Sequence, residues 1–182
     1  MPLVFCFWGV MSIVSGVERG KMKLPENDYQ ILKLTDAFYN DYPNPPYTEI
    51  LEKQRRAYNC FVFQTHYDFF IAVPYRSEIS HTYSFRFKTS ARSRRHKSGL
   101  DYTKIVLLGR TAYLDNKDAI IDREEYKETL KNIEKIKREA LTFVEEYMAH
   151  MNGVKKLHSK EFTRRYGYSS LKYFHKEMGI DK

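Results

Sequence analysis

Two neighbouring apolar runs constrain the fold of this chain more than any other feature of its sequence. They are "YNCFVFQT" (58–65) and "DFFIAVPY" (68–75), with "HYD" at the turn between them. This separation is typical of a β-hairpin. Because the runs are almost continuously apolar, both faces of the hairpin should be buried.

Further strands are predicted on either side of the hairpin. "YQILKLT" (29–35) and "TYSFRFK" (82–88) alternate apolar and polar residues, as half-exposed strands do. "TKIVLLG" (103–109) is a core strand, "TAYLD" (111–115) is a candidate for a short one, and 36–42 is a short helix or turn. Five or six strands without alternating helices predict a curled antiparallel sheet or a small barrel.

The C-terminal third is predicted to be helical. Asp122 and Glu125 form a capping box that begins a long helix, and Gly153 ends it. Apolar side chains recur along this helix at spacings of three and four: Tyr126, Leu130, Ile133, Ile136, Ala140, Phe143, Tyr147 and Met151. Shorter helical segments are expected at 159–167 and 169–179. The predicted class is α+β, with a β core followed by a long helix and short helices.

The first 21 residues are expected to lie outside the domain. "MPLVFCFWGVMSIVSGV" has no Lys or Arg before its apolar stretch, and 17 residues are marginal for crossing a bilayer. "ERGKM" (18–22) corresponds to purine-rich codons, as a ribosome-binding site before a start codon would. We therefore expect translation to start at Met22 and residues 22–182 to form one cytoplasmic domain. The alternative is a membrane-anchored basic protein.

The charge of the chain favours a polyanionic partner. Lys and Arg total 31 against 23 Asp and Glu, for a net charge of +8. The candidate RNA-binding residues are Arg55, Arg56, Arg86, Lys88, Arg92, Arg94, Arg95, His96 and Lys97. Residues 89–99 contain no large apolar side chain and are predicted to form a loop. Tyr83, Phe85 and Phe87 could stack on bases, but their alternation favours the core.

The motifs that usually hold cofactors or metals are missing from the sequence. It contains no GxxxxGK[ST] or GxGxxG loop, no HExxH, and only two cysteines, without zinc spacing. The carboxylates concentrate on the long helix, where they are expected to form a solvated face. We therefore expect neither metal nor cofactor. Cleavage of a nucleic acid would have to proceed without a metal ion.

The residues needed for metal-free RNA cleavage occur together in "PYRSEISH" (74–81). His81 suits proton transfer near neutral pH, Arg76 can clamp phosphate oxygens, and Ser77 can position the phosphate or the attacking oxygen. Such chemistry uses the ribose 2′-hydroxyl and would select RNA over DNA. On residue types alone, however, a loop histidine is more often an ordinary surface residue.

Several ordered blocks resemble the toxins of type III toxin–antitoxin systems. They are "FFIAVPYRSEISH", "SFRFK", "SGLDYTKIVLL" and "LHSKEFTRRYGYSSLKYFH", and the likeness spans about residues 30 to 178. Within the group, the chain is most similar to the TenpN and CptN toxins and more distantly to ToxN.

The resemblance implies both a fold and an activity. The fold is a compact barrel-like β core of the MazF/Kid type. The activity is that of a metal-independent endoribonuclease that leaves 2′,3′-cyclic phosphate and 5′-hydroxyl ends. The implied partners are cellular or phage RNA substrates and a small pseudoknotted antitoxin RNA, which the toxin processes from a repeat-containing precursor and with which it assembles. The implied role includes abortive infection against phage.

The resemblance also assigns site residues. Arg76 and Ser77 fall where ToxN-like toxins have a Thr-Ser pair at the active site, and His81 takes the approximate place of a lysine of the ToxN branch. Lys104 is the expected phosphate-stabilising cation; its alternative is an ordinary lysine at a strand entry. Asp101 and its neighbour Tyr102 are left out of the catalytic set. The competing functional hypothesis is a non-catalytic RNA-binding protein.

Overall fold

The protein has an α+β fold in the computed structural model, which describes residues 28–51, 58–115 and 119–180. The strands are β1 (Tyr29–Leu34), β2 (Asn59–Gln64), β3 (Phe70–Arg76), β4 (Ser84–Arg86), β5 (Gly99–Asp101), β6 (Val106–Leu108) and β7 (Leu114–Asp115). The helices are α1 (Asp36–Asp41), α2 (Ala91–His96), α3 (Arg123–Lys131), α4 (Ile133–Met151) and α5 (Ser159–Tyr166), with 3-10 helices at Tyr102–Lys104, Thr111–Tyr113 and Ser170–Tyr173. The predicted leader, 1–21, and Met22 lie outside the described residues.

The predicted hairpin forms the middle of the sheet. β2 and β3 pair antiparallel from Cys60 opposite Pro74 to Gln64 opposite Phe70. Four successive β2 side chains, Cys60 to Phe63, are buried, as are the first five of β3, Phe70 to Pro74. This confirms burial on both faces and explains why the two runs lack alternation.

The sheet is antiparallel but does not close. The strand order is β4-β5-β3-β2-β1-β7, and β6 pairs with β3 beside β5. No pairing joins β4 to β7 among the described strands, so both remain edges. The predicted α+β class and antiparallel sheet are confirmed, whereas a closed barrel is not formed. Likeness to the MazF/Kid fold stays a prediction.

One edge of β3 carries an interrupted strand. Leu100 lies opposite Tyr75 and Val106 lies opposite Ala72. Five residues, 101–105, thus face only two residues of β3, 73–74. The three extra residues cannot stay in the ladder, and the chain coils into the 3-10 helix Tyr102–Lys104. The predicted continuous strand at 103–109 is therefore wrong: β6 covers only Val106–Leu108.

The long predicted helix is two helices. It begins as expected at Asp122, whose side chain accepts the amide N–H groups of Glu124 and Glu125. The second half of the predicted capping box does not form among the described residues, because the Glu125 carboxylate accepts from Arg92, Ser93 and Ser98 instead. At Asn132, however, the backbone leaves the helical region, and the Asn132 side-chain amide donates to the carbonyl of Glu128. This local hydrogen bond competes with the backbone ladder and separates α3 from α4.

The apolar stripe predicted along this region is correct only for α4. Ile136, Ala140, Phe143 and Tyr147 are buried in the main core, and Ile133 is half-buried. The predicted core residues on α3 and at the end of α4 are exposed instead: Tyr126, Leu130 and Met151. α3 buries the polar side chains Glu125 and Thr129.

The C-terminal segment closes the core around the 3-10 helix Tyr102–Lys104. The predicted helix at 159–167 is confirmed as α5, whereas the segment 169–179 contains only the 3-10 helix Ser170–Tyr173. The Ser170 hydroxyl donates to the carbonyls of Thr103 and Ile105, and Leu171 and Phe174 are fully buried. These contacts fix the C-terminal chain against the interrupted strand.

Gly99 permits the close approach of β4 and β5. A Cβ atom at residue 99 would lie 2.2 Å from the Phe85 carbonyl oxygen, which is backbone and cannot move aside. We predict that Gly99→Ala lowers the free energy of unfolding by about 2 kcal/mol, measured by denaturant titration. Gly109→Ala is the matched control: its nearest neighbour, the Glu177 side chain, would lie 3.9 Å from the new methyl group. Equal stability of both variants would contradict this prediction.

Candidate active site

A buried carboxylate, Asp101, holds two of the predicted catalytic residues together. Its Oδ2 accepts a hydrogen bond of 2.6 Å from Arg76 Nη1, and its Oδ1 lies 3.2 Å from His81 Nε2. Oδ1 also accepts the amide and the hydroxyl of Thr103, at 3.0 and 2.7 Å. The strand interruption supplies this arrangement, because Asp101 ends β5 and caps the 3-10 helix that follows.

The partners of Asp101 keep it ionised. Burial would raise the pKa of this carboxyl group, because it disfavours the charged form. The hydrogen bonds from His81, Thr103 and Arg76 outweigh that effect and hold the pKa of Asp101 below its usual value. The site therefore contains a fixed negative charge next to an imidazole and a guanidinium group.

The His81 ring is oriented on several sides. Nε2 faces Asp101 and lies 3.4 Å from the Thr103 hydroxyl, and the ring stacks on Tyr83 with centroids 6.2 Å apart. The Arg86 guanidinium donates to the His81 carbonyl at 2.8 Å. Nδ1 is buried and has no hydrogen-bond partner among the described residues. The side chain as a whole is 28% exposed, so a ligand can touch the ring but not its Nδ1 atom in this conformation.

The loop between Arg76 and His81 is fixed to the end of α2. Glu78 donates its amide to the His96 carbonyl at 2.6 Å, and Ile79 donates to the Lys97 carbonyl at 3.3 Å. Glu78 and Lys97 both adopt left-handed φ angles, 57° and 47°, which is strained for residues with a Cβ. Ser77 is half-buried, and its hydroxyl makes no hydrogen bond within the described part of the chain.

Lys104 is engaged away from this cluster. Its ammonium group forms an ion pair with Glu49 and donates to the Tyr168 carbonyl at 2.9 Å. Its side chain is only 11% exposed. The structure thus brings together Arg76 and His81, while Lys104 joins the C-terminal segment to the 3-10 helix. Its predicted catalytic role is untested by this geometry and stays a prediction.

The predicted basic loop is partly helical. Residues 91–96 form α2 because the Ser90 hydroxyl accepts the amide of Ser93, which caps the helix. Ser90 is a capping residue that can be recognised in the sequence, but the many Arg and Lys residues after it favoured the prediction of a loop. Phe85 and Phe87 are buried, and only Tyr83 is half-exposed. The favoured interpretation of these three aromatic residues, that they face the core, is correct for the two phenylalanines.

The basic candidates form an exposed surface on and beside α2. Those that are exposed to solvent are Lys88, Arg92, Arg94, Arg95, His96 and Lys97. Arg95 and Lys97 have no charged or hydrogen-bonding side-chain partner among the described residues, and Arg86 is half-buried beside His81. Arg55 and Arg56 fall in the segment 52–57, outside the described residues.

A second buried carboxylate positions α2. Glu125 Oε1 accepts hydrogen bonds from Arg92 at 2.6 Å, Ser93 at 3.1 Å and Ser98 at 2.6 Å. Glu125 is 3% exposed. The prediction of a solvated carboxylate face is therefore wrong for Glu125, because three donors from the basic segment compensate its burial.

A third carboxylate, Glu128, accepts hydrogen bonds from the backbone just before α2. Its two oxygens accept the amide groups of Lys88 and Thr89 and the Thr89 hydroxyl, at distances from 2.7 to 3.1 Å. α3 thus holds both ends of the segment 88–98. This explains why α3 faces inward with polar rather than apolar side chains.

Sequence reasoning missed Asp101 and Thr103 as site residues. Both lie in the block "SGLDYTKIVLL". The sequence left open whether Asp101 lines the site or only shapes the turn after Gly99, and Asp101 is not in the predicted catalytic set. The Asp-x-Thr spacing of a carboxylate that caps the following turn was the available signal. This signal does not reveal that β5 pairs with β3, and it is that pairing which brings residue 101 beside Arg76.

Searches for a metal site, for a membrane-spanning helix and for similar known proteins identify nothing further about the site. No cluster of three or more His, Cys, Asp or Glu side chains within the described residues could hold a metal ion. None of the described helices has the length and apolarity needed for a membrane span. No family model, curated protein or solved structure matches the chain.

The paired state of Asp101 predicts a pH-dependent stability. We expect Asp101→Asn to lower the free energy of unfolding at pH 7 by about 3 kcal/mol, because it leaves Arg76 and His81 without their shared charge. Since the folded-state pKa of Asp101 is depressed, its contribution is complete above the unfolded pKa of about 3.9 and is lost as pH falls through the lower folded value.

Denaturant titrations of both proteins from pH 7 to the lowest pH at which they fold would test this. The difference between them should shrink only below about pH 4. Asp68→Asn, which removes an exposed carboxylate from the β2–β3 turn, should change stability by less than about 0.5 kcal/mol. A small difference between the Asp101 proteins at pH 7 would contradict the proposed pairing.

Proposed function

We propose that this protein is a metal-independent endoribonuclease and the toxin of a type III toxin–antitoxin system. The observation that carries the proposal is the imidazole of His81, held by a buried carboxylate that it shares with Arg76. The loop that leads to His81 is hydrogen-bonded to the end of an exposed basic helix. A proton-transfer group, an anion-binding group and a polyanion-binding surface are what metal-free RNA cleavage requires.

The geometry suggests a role for each group. With Nε2–H donated to Asp101, Nδ1 of His81 is the ring's acceptor and has no partner in the described structure. Because Nδ1 is buried, the proposal requires a local shift of the loop around His81 that uncovers this atom. A ribose 2′-hydroxyl would then bind the nitrogen and lose its proton to it. The resulting oxygen attacks the adjacent phosphorus, and the bond from phosphorus to the 5′ oxygen breaks. That oxygen takes a proton from water, and the hydroxide left behind takes the proton from His81 and restores the neutral imidazole. The products are a 2′,3′-cyclic phosphate and a 5′-hydroxyl.

Arg76 and Ser77 are the proposed phosphate ligands. The Arg76 side chain is 33% exposed and donates one nitrogen, Nη1, to Asp101. The rest of its guanidinium group is available to the charge that develops on the phosphorane. The adjacent Ser77 hydroxyl has no partner among the described residues and can donate to the same phosphate.

The proposed partners follow from the family resemblance and from the charge of the surface. A pseudoknotted antitoxin RNA would cover the basic helix and the His81 site together, and so inhibit the toxin. Release of the toxin would expose cellular or phage RNA to cleavage and produce abortive infection. The MazF/Kid likeness of the sheet, cytoplasmic location and a higher-order protein–RNA assembly belong to the same proposal.

The second candidate is a non-catalytic RNA-binding protein. The observation that favours it is the ion pair between Lys104 and Glu49. Because of this pair, Lys104 is not free to stabilise a phosphate as expected. In that case the Asp101 cluster would only stabilise the end of β3. The two hypotheses share the basic surface and differ in whether bound RNA is cut.

Cleavage should depend on His81 and not on divalent metal. We predict that the protein cuts single-stranded RNA in EDTA and that His81→Ala lowers the cleavage rate by about 10² to 10⁴-fold while RNA binding is retained. The measurement is single-turnover cleavage of end-labelled RNA. The control, His66→Ala, removes a histidine that is 64% exposed in the β2–β3 turn, and this variant should cut at a similar rate. If the unmodified protein binds the RNA but does not cut it, the nuclease proposal is contradicted and the non-catalytic RNA-binding protein is supported.

The α2 surface should produce a strong dependence of RNA binding on salt. Arg95→Gln with Lys97→Gln removes two exposed charges and should reduce the slope of log K against log salt by about 1.4. The control, Arg110→Gln with Lys33→Gln, lies beside β7 at the other end of the strand order and should leave the slope unchanged. Binding isotherms at four salt concentrations measure both slopes; equal reductions in the two double variants would contradict an RNA path over α2.

A further inference from the structure

Tyr168 is the most exposed of the large aromatic side chains in the described part of the chain. Its relative exposure is 79%, whereas the other exposed tyrosine, Tyr126, reaches 44%. A ring this exposed contributes little to the stability of the fold, because burial of aromatic area is what stabilises. The Tyr168 ring is therefore open to contact with a ligand.

The backbone on both sides of Tyr168 is fixed. Its carbonyl accepts the Lys104 ammonium group at 2.9 Å. The next residue, Ser169, donates its amide to the Tyr166 carbonyl, and its buried hydroxyl caps the following 3-10 helix. Tyr166 itself is buried in the core. The ring is thus displayed on a rigid support, which lowers the entropy lost when a ligand binds it.

The support of Tyr168 is continuous with the His81 cluster. Lys104, which binds the Tyr168 carbonyl, directly follows Thr103, whose amide and hydroxyl bind Asp101. A second connection runs through α5. The Arg165 guanidinium lies 5.5 Å from the centre of the Tyr83 ring, the same ring on which His81 stacks.

Cations surround Tyr168 in sequence. Residues 155–165 contain five Lys or Arg and one Glu, and four of these cations are exposed: Lys155, Lys156, Lys160 and Arg164. After the tyrosine comes Lys172, whose side chain is 41% exposed. An exposed aromatic ring between cations matches the chemistry of an unpaired nucleotide, whose base stacks and whose phosphates are neutralised.

We propose that Tyr168 stacks on an unpaired base of the RNA next to the His81 site. The strand would then cross the site from α2 to α5, and the substrate would be single-stranded around the cut. This inference rests on the proposed function for its substrate, RNA, but requires only RNA binding and not cleavage. A base inside a duplex is already stacked on its neighbours and does not offer Tyr168 a free face.

The test uses binding to a protein that cannot cut. In a His81→Ala background, fluorescence anisotropy measures the affinity for a labelled single-stranded RNA of mixed sequence and for the same RNA in a perfect duplex. Tyr168→Ala and Tyr168→Leu should bind the single strand about tenfold more weakly, the loss typical of one stacked base. Tyr168→Phe should bind within about twofold of the parent, because it keeps the ring.

The controls separate stacking from other effects. Val154→Ala removes another side chain of the same basic region, 83% exposed, and should leave binding unchanged. Duplex affinity should be the same for all Tyr168 variants. Thermal unfolding should also be unchanged, because the ring is exposed.

Each outcome has a distinct meaning. Equal single-strand affinity of Tyr168→Ala and its parent would overturn the stacking role while leaving the nuclease intact. Weakened binding together with RNA that unmodified protein never cuts would overturn the nuclease and keep the stacking role. Absence of RNA binding by the parent would overturn both. A tenfold loss in Tyr168→Ala that Tyr168→Leu restores would show that apolar area, not an aromatic ring, is required, and would also overturn the proposal.

Discussion

The arrangement of the site depends on one buried charge, the carboxylate of Asp101. A carboxylate removed from water costs several kcal/mol unless partners compensate it. Here the compensation comes from three separate parts of the chain: Arg76 at the end of β3, His81 after the following loop, and Thr103 in the 3-10 helix. Satisfying Asp101 therefore fixes the relative positions of the groups that the proposed chemistry uses.

Glu125 has the same effect on the basic surface. Its buried oxygen holds Arg92, Ser93 and Ser98, so that α2 stays in place although its exposed cations repel one another. The loop that carries His81 is in turn hydrogen-bonded to the end of α2. Two buried carboxylates, Asp101 and Glu125, thus place a cationic surface beside an imidazole. An RNA attracted by the first would meet the second without a large rearrangement of the protein.

The sequence predicted those parts of the fold that rest on local patterns. The hairpin of β2 and β3, the cap at Asp122 and the apolar stripe of α4 follow from periodicity and capping, which are properties of neighbouring residues. The grouping of Arg76 with His81 was predicted from their proximity in sequence. The burial of Asp101 and Glu125 was not predicted, and Glu125 was assigned only to a helix cap. Their burial depends on the register of β5 against β3 and on contacts between α3 and α2 that no local pattern encodes.

The most direct measurement concerns the hydroxyl that the proposed reaction consumes. Once a cleavage position in an RNA has been mapped, the same RNA is synthesised with a single 2′-deoxyribose on the 5′ side of that bond, and its ends are analysed by mass spectrometry. The proposed mechanism predicts no cut at the deoxy position and 2′,3′-cyclic phosphate ends in the unmodified RNA. Cutting at the deoxy position, or 5′-phosphate ends, would contradict attack by the 2′-hydroxyl and with it the proposed role of His81.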